Sequence, residues 1–207
     1  MNLAILGGTG RTGRLLVDLA LQDGHDVRVL ARDPSKVHRT HERLTVVQGD
    51  ARDPQAIARL VEGADAVLSA LGPVRGGPRD VMTSAAQALV SQLATAPRRR
   101  LITLTGAGVP HEGDRPGAVD RIFGILLRLL QPDVLRDSQG HVDLVRGSNL
   151  DWTVVRAPRL TDGPERPLRV GLVGDISPQL TRASAARFML DQVASDRYVR
   201  QAPAISN

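Results

Sequence analysis

Apolar residues fall into two alternating patterns along the chain. Short unbroken runs, such as Leu3-Ala4-Ile5-Leu6 and Trp152-Thr153-Val154-Val155, have the length of strands buried on both faces. Between them lie longer stretches with apolar residues every three or four positions, as in Leu15-Leu16-Val17-Asp18-Leu19-Ala20-Leu21. That spacing gives a helix one buried face. The pattern predicts strands over Asn2–Leu6, Asp26–Ala31, Leu44–Gln48, Asp65–Ala70, Leu101–Thr105 and Trp152–Arg156. It predicts helices over Thr12–Asp23, Pro54–Glu62, Val81–Ala94, Val119–Leu130, Leu135–Gly147 and Ala183–Ala194. Gly24 and Gly63 close the first two helices, and Pro132 breaks the fourth. Arg169–Leu172 reads as a short strand and Tyr198–Ala202 as a final edge strand.

Strand–helix alternation implies an α/β fold, a doubly wound parallel sheet with helices on both faces. No repeat or linker interrupts it, so residues 1–207 are expected to form a single Rossmann domain. A small substrate-side region is expected at about 106–135 and 157–182. The stripe Ile122, Phe123, Leu126, Leu127 and Leu130 reads foremost as core. A pocket roof and a dimer contact are the other readings, which leaves both a monomer and a homodimer open.

Between the first strand and helix lies Gly7-Gly8-Thr9-Gly10-Arg11-Thr12-Gly13. A glycine-rich strand-to-helix turn is the setting of a dinucleotide site. Gly7 lets the chain leave the strand sharply, Gly10 lets backbone approach a pyrophosphate, and Gly13 lets the helix pack closely. The free N–H groups of the first helical turn would then face the anion. The spacing is Gly-x-x-Gly-x-x-Gly, so without its flanks the motif would read as a plain turn.

The end of the second strand sets cofactor preference, because an acid there binds ribose hydroxyls and a base accommodates a 2′-phosphate. Ala31-Arg32 stands at that end, Lys36 follows, and Arg11 can reach the same region. These cations favour NADP(H) over NAD(H). Asp33 is the contrary signal, but Asp33-Pro34 reads as a helix cap followed by proline. Asp50, after the third strand, suits either the adenine edge or a capping turn. The loop Leu71-Gly72-Pro73 leaves the carboxyl end of the fourth strand, where it would run beside the middle of the cofactor.

Composition narrows the chemistry. The 207 residues include no cysteine, which removes disulfides, thiolate catalysis and cysteine-ligated metals. No apolar run approaches the length of a membrane span, and the first strand begins too early for a signal peptide ahead of it. A cytoplasmic protein without a membrane partner is expected. Lys36 is the only lysine, so the net charge of +5 is carried by arginines scattered among acids. With no recognition helix or aromatic-studded basic strand, this reads as a solvated surface rather than a nucleic-acid site. His38, His41 and Glu42 lack a fourth ligand, so no metal is expected.

The glycine loop, Leu68-Ser69-Ala70-Leu71-Gly72, and Ser148-Asn149-Leu150-Asp151-Trp152-Thr153-Val154-Val155-Arg156-Ala157-Pro158 resemble the atypical short-chain dehydrogenase/reductases. The resemblance is nearest to the branch holding biliverdin-IXβ reductase (flavin reductase) and the NmrA-like proteins, and it covers essentially the whole chain. It implies that Gly7, Thr9, Gly10, Arg11 and Thr12 hold the phosphates and that Arg32 holds the 2′-phosphate. Asp50 and Ala51 would flank the adenine, and Leu71 and Gly72 would line the path to the nicotinamide. It places Thr105 near the nicotinamide, with Pro158 and Leu160 bordering the substrate pocket.

One departure is plain. The only tyrosine is Tyr198 and the only lysine Lys36, so the usual Tyr-x-x-x-Lys dyad is absent. Ser138 stands at the position matched to the family lysine, and Gly106 stands where the flavin-reductase branch has a serine. A planar hydride acceptor, such as a flavin or quinone, can draw its proton from solvent and needs no such dyad. Thr105 and His111 are the candidate catalytic groups, and His141 reads as a surface helix residue. The expected activity is NADPH-dependent reduction of a small planar acceptor. A non-catalytic NAD(P) sensor of the NmrA type is the alternative. A nucleotide-sugar epimerase or dehydratase fits less well, given the short substrate region.

Overall fold

The computed structural model describes residues 1–73 and 76–207, without the side chains of Val119, Asp120 and Phe123. Its centre is an eight-stranded sheet in the order β3-β2-β1-β4-β5-β6-β10-β8. The strands are β1 (Asn2–Leu6), β2 (Asp26–Ala31), β3 (Leu44–Gln48), β4 (Ala66–Ser69), β5 (Arg100–Gly106), β6 (Asp151–Ala157), β8 (Arg169–Gly171) and β10 (Ala204–Ser206). All pairings are parallel except that of β8 with β10. β7 (Arg159–Thr161) and β9 (Gln179–Thr181) form a separate parallel pair.

Period-two alternation builds two cores from one strand. Leu3 and Ile5 of β1 face α1 (Arg11–Gln22) and α6 (Arg182–Asp191), together with Leu16, Val17, Ala185 and Met189. Ala4 and Leu6 face the other way, toward α2 (Pro54–Val61), α3 (Val81–Leu93) and α5 (Pro132–Arg146). The chain moves outward from β1 to β3, then crosses back to β4 on the other side of β1. This crossover is the switch point where open α/β sheets form a crevice.

The central elements match the sequence expectation to within a few residues, and the differences lie near the carboxyl end. The last strand is Ala204–Ser206, not Tyr198–Ala202, and it is no edge: it lies between β6 and β8. In the 198–202 stretch only Gln201 makes a bridge, to Thr153. Pro132 does not merely break α4 (Ala118–Leu130); it opens α5, whose first turn lacks N–H partners anyway. The β7–β9 pair is not among the predicted elements. Among the described residues no helix is long and apolar enough to cross a membrane.

The expected core role of α4 is overturned. Ile122 is 67% and Leu129 74% exposed, and Ile125, Leu126 and Leu130 are exposed as well. Only Leu127 of the stripe turns inward, toward Gly108; the Phe123 side chain lies outside the described residues.

Two polar contacts fix the elements around the crevice. Asp137 of α5 accepts hydrogen bonds from the backbone N–H groups of Met82 and Thr83, capping the start of α3 from another helix. Arg156, at the end of β6 and 1% exposed, forms a two-pronged ion pair with Asp114 at 2.6 and 3.0 Å. Its Nε also donates to the carbonyl of Ala202. Asp114 accepts in addition from the N–H groups of His111 and Val173. The pair thus ties β6 to the loop after β5, the approach to β10 and the turn after β8. Asp114→Asn should leave Arg156 with an uncompensated interior charge, and the unfolding free energy from urea titration should fall by about 3–5 kcal/mol.

Candidate functional site

At the switch point a cleft of about 140 Å³ opens, lined by Gly7, Thr9, Gly10, Ala31, Arg32, Asp50, Ala51, Leu71 and Gly72. Ala70, Pro78 and Val81 complete its far wall, with Leu30 and Gly49 beside Ala31. The fold therefore brings together most of the predicted cofactor residues, although they come from four separate carboxyl ends.

The glycine loop is shaped by contacts that admit no side chain. Gly7 has φ +76°, and a Cβ there would sit 2.6 Å from the Ala70 carbonyl oxygen. A Cβ on Gly13 would run into the Gly7 carbonyl, so α1 starts directly against the loop. Gly8, which has no separate role in the motif, abuts Val29 of β2. Gly10 is the N-cap of α1 and supplies no side-chain acceptor. The first-turn N–H groups, which no intrahelical carbonyl can satisfy, remain available to an anion. A pyrophosphate fits this cradle on backbone grounds alone.

The end of β2 is electropositive. Asp33 is turned to its own cap, accepting from the backbone N–H and hydroxyl of Ser35, and these bonds lower its pKa. Lys36 lies 3.7 Å from Asp33. Arg32 is exposed and lines the cleft. Asp50 also lines it, while receiving the Arg52 guanidinium and backbone N–H; the Arg52 contact holds Asp50 below the usual carboxylate range. Asp50 is thus a turn-forming carboxylate that also stands on the wall of the cleft. Arg11 points away from the end of β2, its guanidinium 4.0 Å from Asp162, which follows β7 and also pairs with the buried Arg182. The Arg11 pair is exposed and so contributes little.

The remaining predicted residues lie on the far side of the glycine loop. Thr105 and Gly106 of β5 are paired in register with Arg156 and Ala157, so Pro158 leaves β6 beside them. The Thr105 hydroxyl is buried and has no hydrogen-bond partner. Leu160 of β7 packs on the core cluster that contains Leu16 and Leu180. Thr12 is buried at the start of α1. His111 sits against the Asp114–Arg156 pair; its Nδ1 is buried without a partner, and burial followed by the charge of Arg156 lowers its pKa. Its ring is therefore neutral at pH 7. His38 is turned to Asp18, and the His41 ring accepts from the Arg43 N–H, so the two do not converge on a common point.

His141 corrects the expectation of a surface residue. It is 5% exposed, and its Nε2 lies 2.8 Å from the Thr103 hydroxyl of β5. The missed signal was its i+4 spacing from Asp137 and its place among Ser138, Val142 and Val145, the buried row of α5. Arg156 and Asp114 were also missed as partners. An arginine inside an apolar strand had to have a buried acid, but nothing in the sequence said which one.

A Rossmann-fold dinucleotide crevice is thus in place. A model of the NAD(P)H-binding family matches residues 7–196, and the chain belongs to that family. It is 30% identical over 108 residues to the protein YwnB of Bacillus subtilis, covering 52% of this chain and 48% of YwnB. The chain spans about half the length of that relative and a smaller share of other curated relatives it matches. Among solved structures, the anaerobillin reductase ChuY of Escherichia coli superposes with a TM-score of 0.82 at 17% identity, covering 100% of this chain and 97% of ChuY. A short-chain dehydrogenase/reductase of Veillonella parvula in complex with NADP gives 0.77 at 21% identity, covering 100% and 94%. These likenesses establish the fold.

His141 makes a testable contribution to stability. Burial lowers its folded-state pKa to about 4, against about 6.5 in an unfolded chain. As pH falls, the unfolded chain takes up the proton first. The contribution is complete above pH 6.5 and is lost between there and pH 4. Urea titrations should find the protein about 2 kcal/mol less stable at pH 5 than at pH 7.5. His141→Gln should flatten that loss relative to the unchanged chain.

Proposed function

We propose that the chain is an NADPH-dependent reductase that passes hydride to a planar acceptor, such as a flavin or quinone, without a Tyr–Lys dyad. The observation that carries this reading is the cleft with Arg32 at its end and Asp33 withdrawn into its own cap. An acid there would bind the ribose hydroxyls of NADH; a free guanidinium binds a 2′-phosphate bidentately.

The residues then divide the work. Gly7, Gly10 and the N–H groups opening α1 hold the pyrophosphate, with the Thr9 and Thr12 hydroxyls beside it. Arg32, supported by Lys36, holds the 2′-phosphate, and Asp50 and Ala51 flank the adenine. Arg11 can leave its weak contact with Asp162 for a phosphate. Leu71, Gly72, Pro158 and Leu160 border the path to the nicotinamide. The buried hydroxyl of Thr105 supplies a hydrogen bond at that end. When bound, the dinucleotide supplies the hydride. The acceptor takes its proton from solvent, and the neutral His111 ring near the loop can offer a hydrogen bond but not the proton.

A second reading, an NAD(P)-responsive regulator, draws on Ser138 and Gly106, which remove two side chains a reductase of this class could use. The two readings separate in one experiment. Purified protein is titrated with NADPH and NADH, then given FMN, riboflavin or a quinone while nicotinamide absorbance is followed. Steady oxidation by one acceptor supports the reductase, and binding without turnover supports the regulator. Failure to bind either nucleotide overturns both. Arg32→Ala should raise the NADPH Kd about 10- to 100-fold, the worth of charge-assisted hydrogen bonds, and change the NADH Kd by less than about threefold.

A further inference from the structure

The exposed face of α4 is the largest departure from an ordinary surface. Ile122, Ile125, Leu126, Leu129 and Leu130 are 48–74% exposed and, at 100° per residue, share one continuous arc. Leu127 and Gly124 lie on the opposite, partly buried side. Arg121 and Arg128, both exposed, project one turn-position beyond the edge of the apolar arc. No acidic residue occurs from Arg121 to Leu130. Arg115 and Arg136 are exposed at the two ends of the helix. Against this stand Asp120, which precedes Arg121 in the helix, Glu112, exposed in the preceding loop, and Asp133, which is already paired with Arg79 and Arg136. A groove of about 470 Å³ lies between Arg128 of α4 and the residues of α5, with Arg136 and Asp143 on its walls beside Pro110 and Leu135.

We propose that α4 docks in the interface of a bilayer containing anionic phospholipid. Its apolar arc enters the acyl boundary, and Arg121 and Arg128 extend to the lipid phosphates. This combination of a wide apolar arc with flanking arginines is what an in-plane helix requires. A second copy of the chain fits less well. A helix of 13 residues is about 20 Å long and about 10 Å wide, so α4 against α4 buries on the order of 300 Å² per copy. A stable interface needs about 800 Å² per partner. It would also set Arg121 and Arg128 against their own kind, whereas an anionic surface complements them. The sequence expectation of no membrane partner rested on the lack of a spanning segment, which an in-plane helix does not need.

The test uses the full chain in flotation assays with vesicles of phosphatidylcholine alone or mixed with phosphatidylglycerol. The chain should float with the anionic vesicles at low salt and bind phosphatidylcholine at least tenfold more weakly. Ile122→Glu with Leu129→Glu should abolish flotation. Arg121→Glu with Arg128→Glu should weaken it at least tenfold, since each arginine near an anionic surface strengthens binding about fivefold. Both variants alter exposed positions and should keep the melting temperature and NADPH Kd of the unchanged chain. The proposal is overturned by failure to float with anionic vesicles, or by flotation that neither variant alters. Light scattering that shows a dimer broken by Leu129→Glu, without lipid binding, overturns it in favour of a second copy.

Discussion

The contact on which the carboxyl half depends is the interior ion pair of Arg156 and Asp114. Taking a guanidinium out of water is costly, and a lone carboxylate does not repay it. Here the remaining hydrogen-bond capacity is also used. Arg156 donates to Ala202, and Asp114 accepts from His111 and Val173. Burial pushes the Asp114 carboxyl up, but Arg156 and the two N–H groups outweigh it and hold it below its ordinary value. The pair contributes geometry more than net stability. Four segments distant in sequence share one charge, and with it the position of the loop that follows Thr105 is set.

The amino half is organised by the opposite device, the absence of side chains. Gly7, Gly8 and Gly13 let β1, β2, the end of β4 and α1 approach more closely than any Cβ permits. Backbone N–H groups are thereby left facing the crevice. This explains why the glycine-loop side of the crevice was readable in the sequence. Glycine spacing, a strand before it and a helix after it are local facts, and the residues at strand ends follow once the strand order is known. The inner strands β1, β4, β5 and β6 were legible for the same reason, since burial on both faces leaves a largely apolar run, whereas β3 is a mostly exposed edge.

What was not legible depends on distance. Tyr198–Ala202 has apolar residues enough for a strand, yet Ala204–Ser206 took the place beside β6, because Arg156 fixes the approach at Ala202. His141 read as a surface residue because α5 has a mixed face, in which the buried row includes Asp137 and Ser138 as well as valines. Their partners, the start of α3 and Thr103 of β5, are separated from them by dozens of residues. The α4 stripe was read as core by periodicity alone. Periodicity tells that a helix has an apolar face, not what covers it.

These two kinds of region carry different parts of the chemistry. The cradle around Gly7 and Gly13 is backbone, nearly indifferent to side-chain identity, and suits the invariant part of a dinucleotide. Beyond Thr105 the surface is made of side chains held by the Arg156–Asp114 pair, and the Thr105 hydroxyl itself is buried without a partner among the described residues. A fold arranged in this way keeps the backbone cradle while the side chains beyond Thr105 are free to change. Arg32 sets an exposed positive charge on the wall of that crevice. The loop anchored by Asp114 leads into α4, so the same ion pair that fixes the end of β6 also fixes where that helix begins.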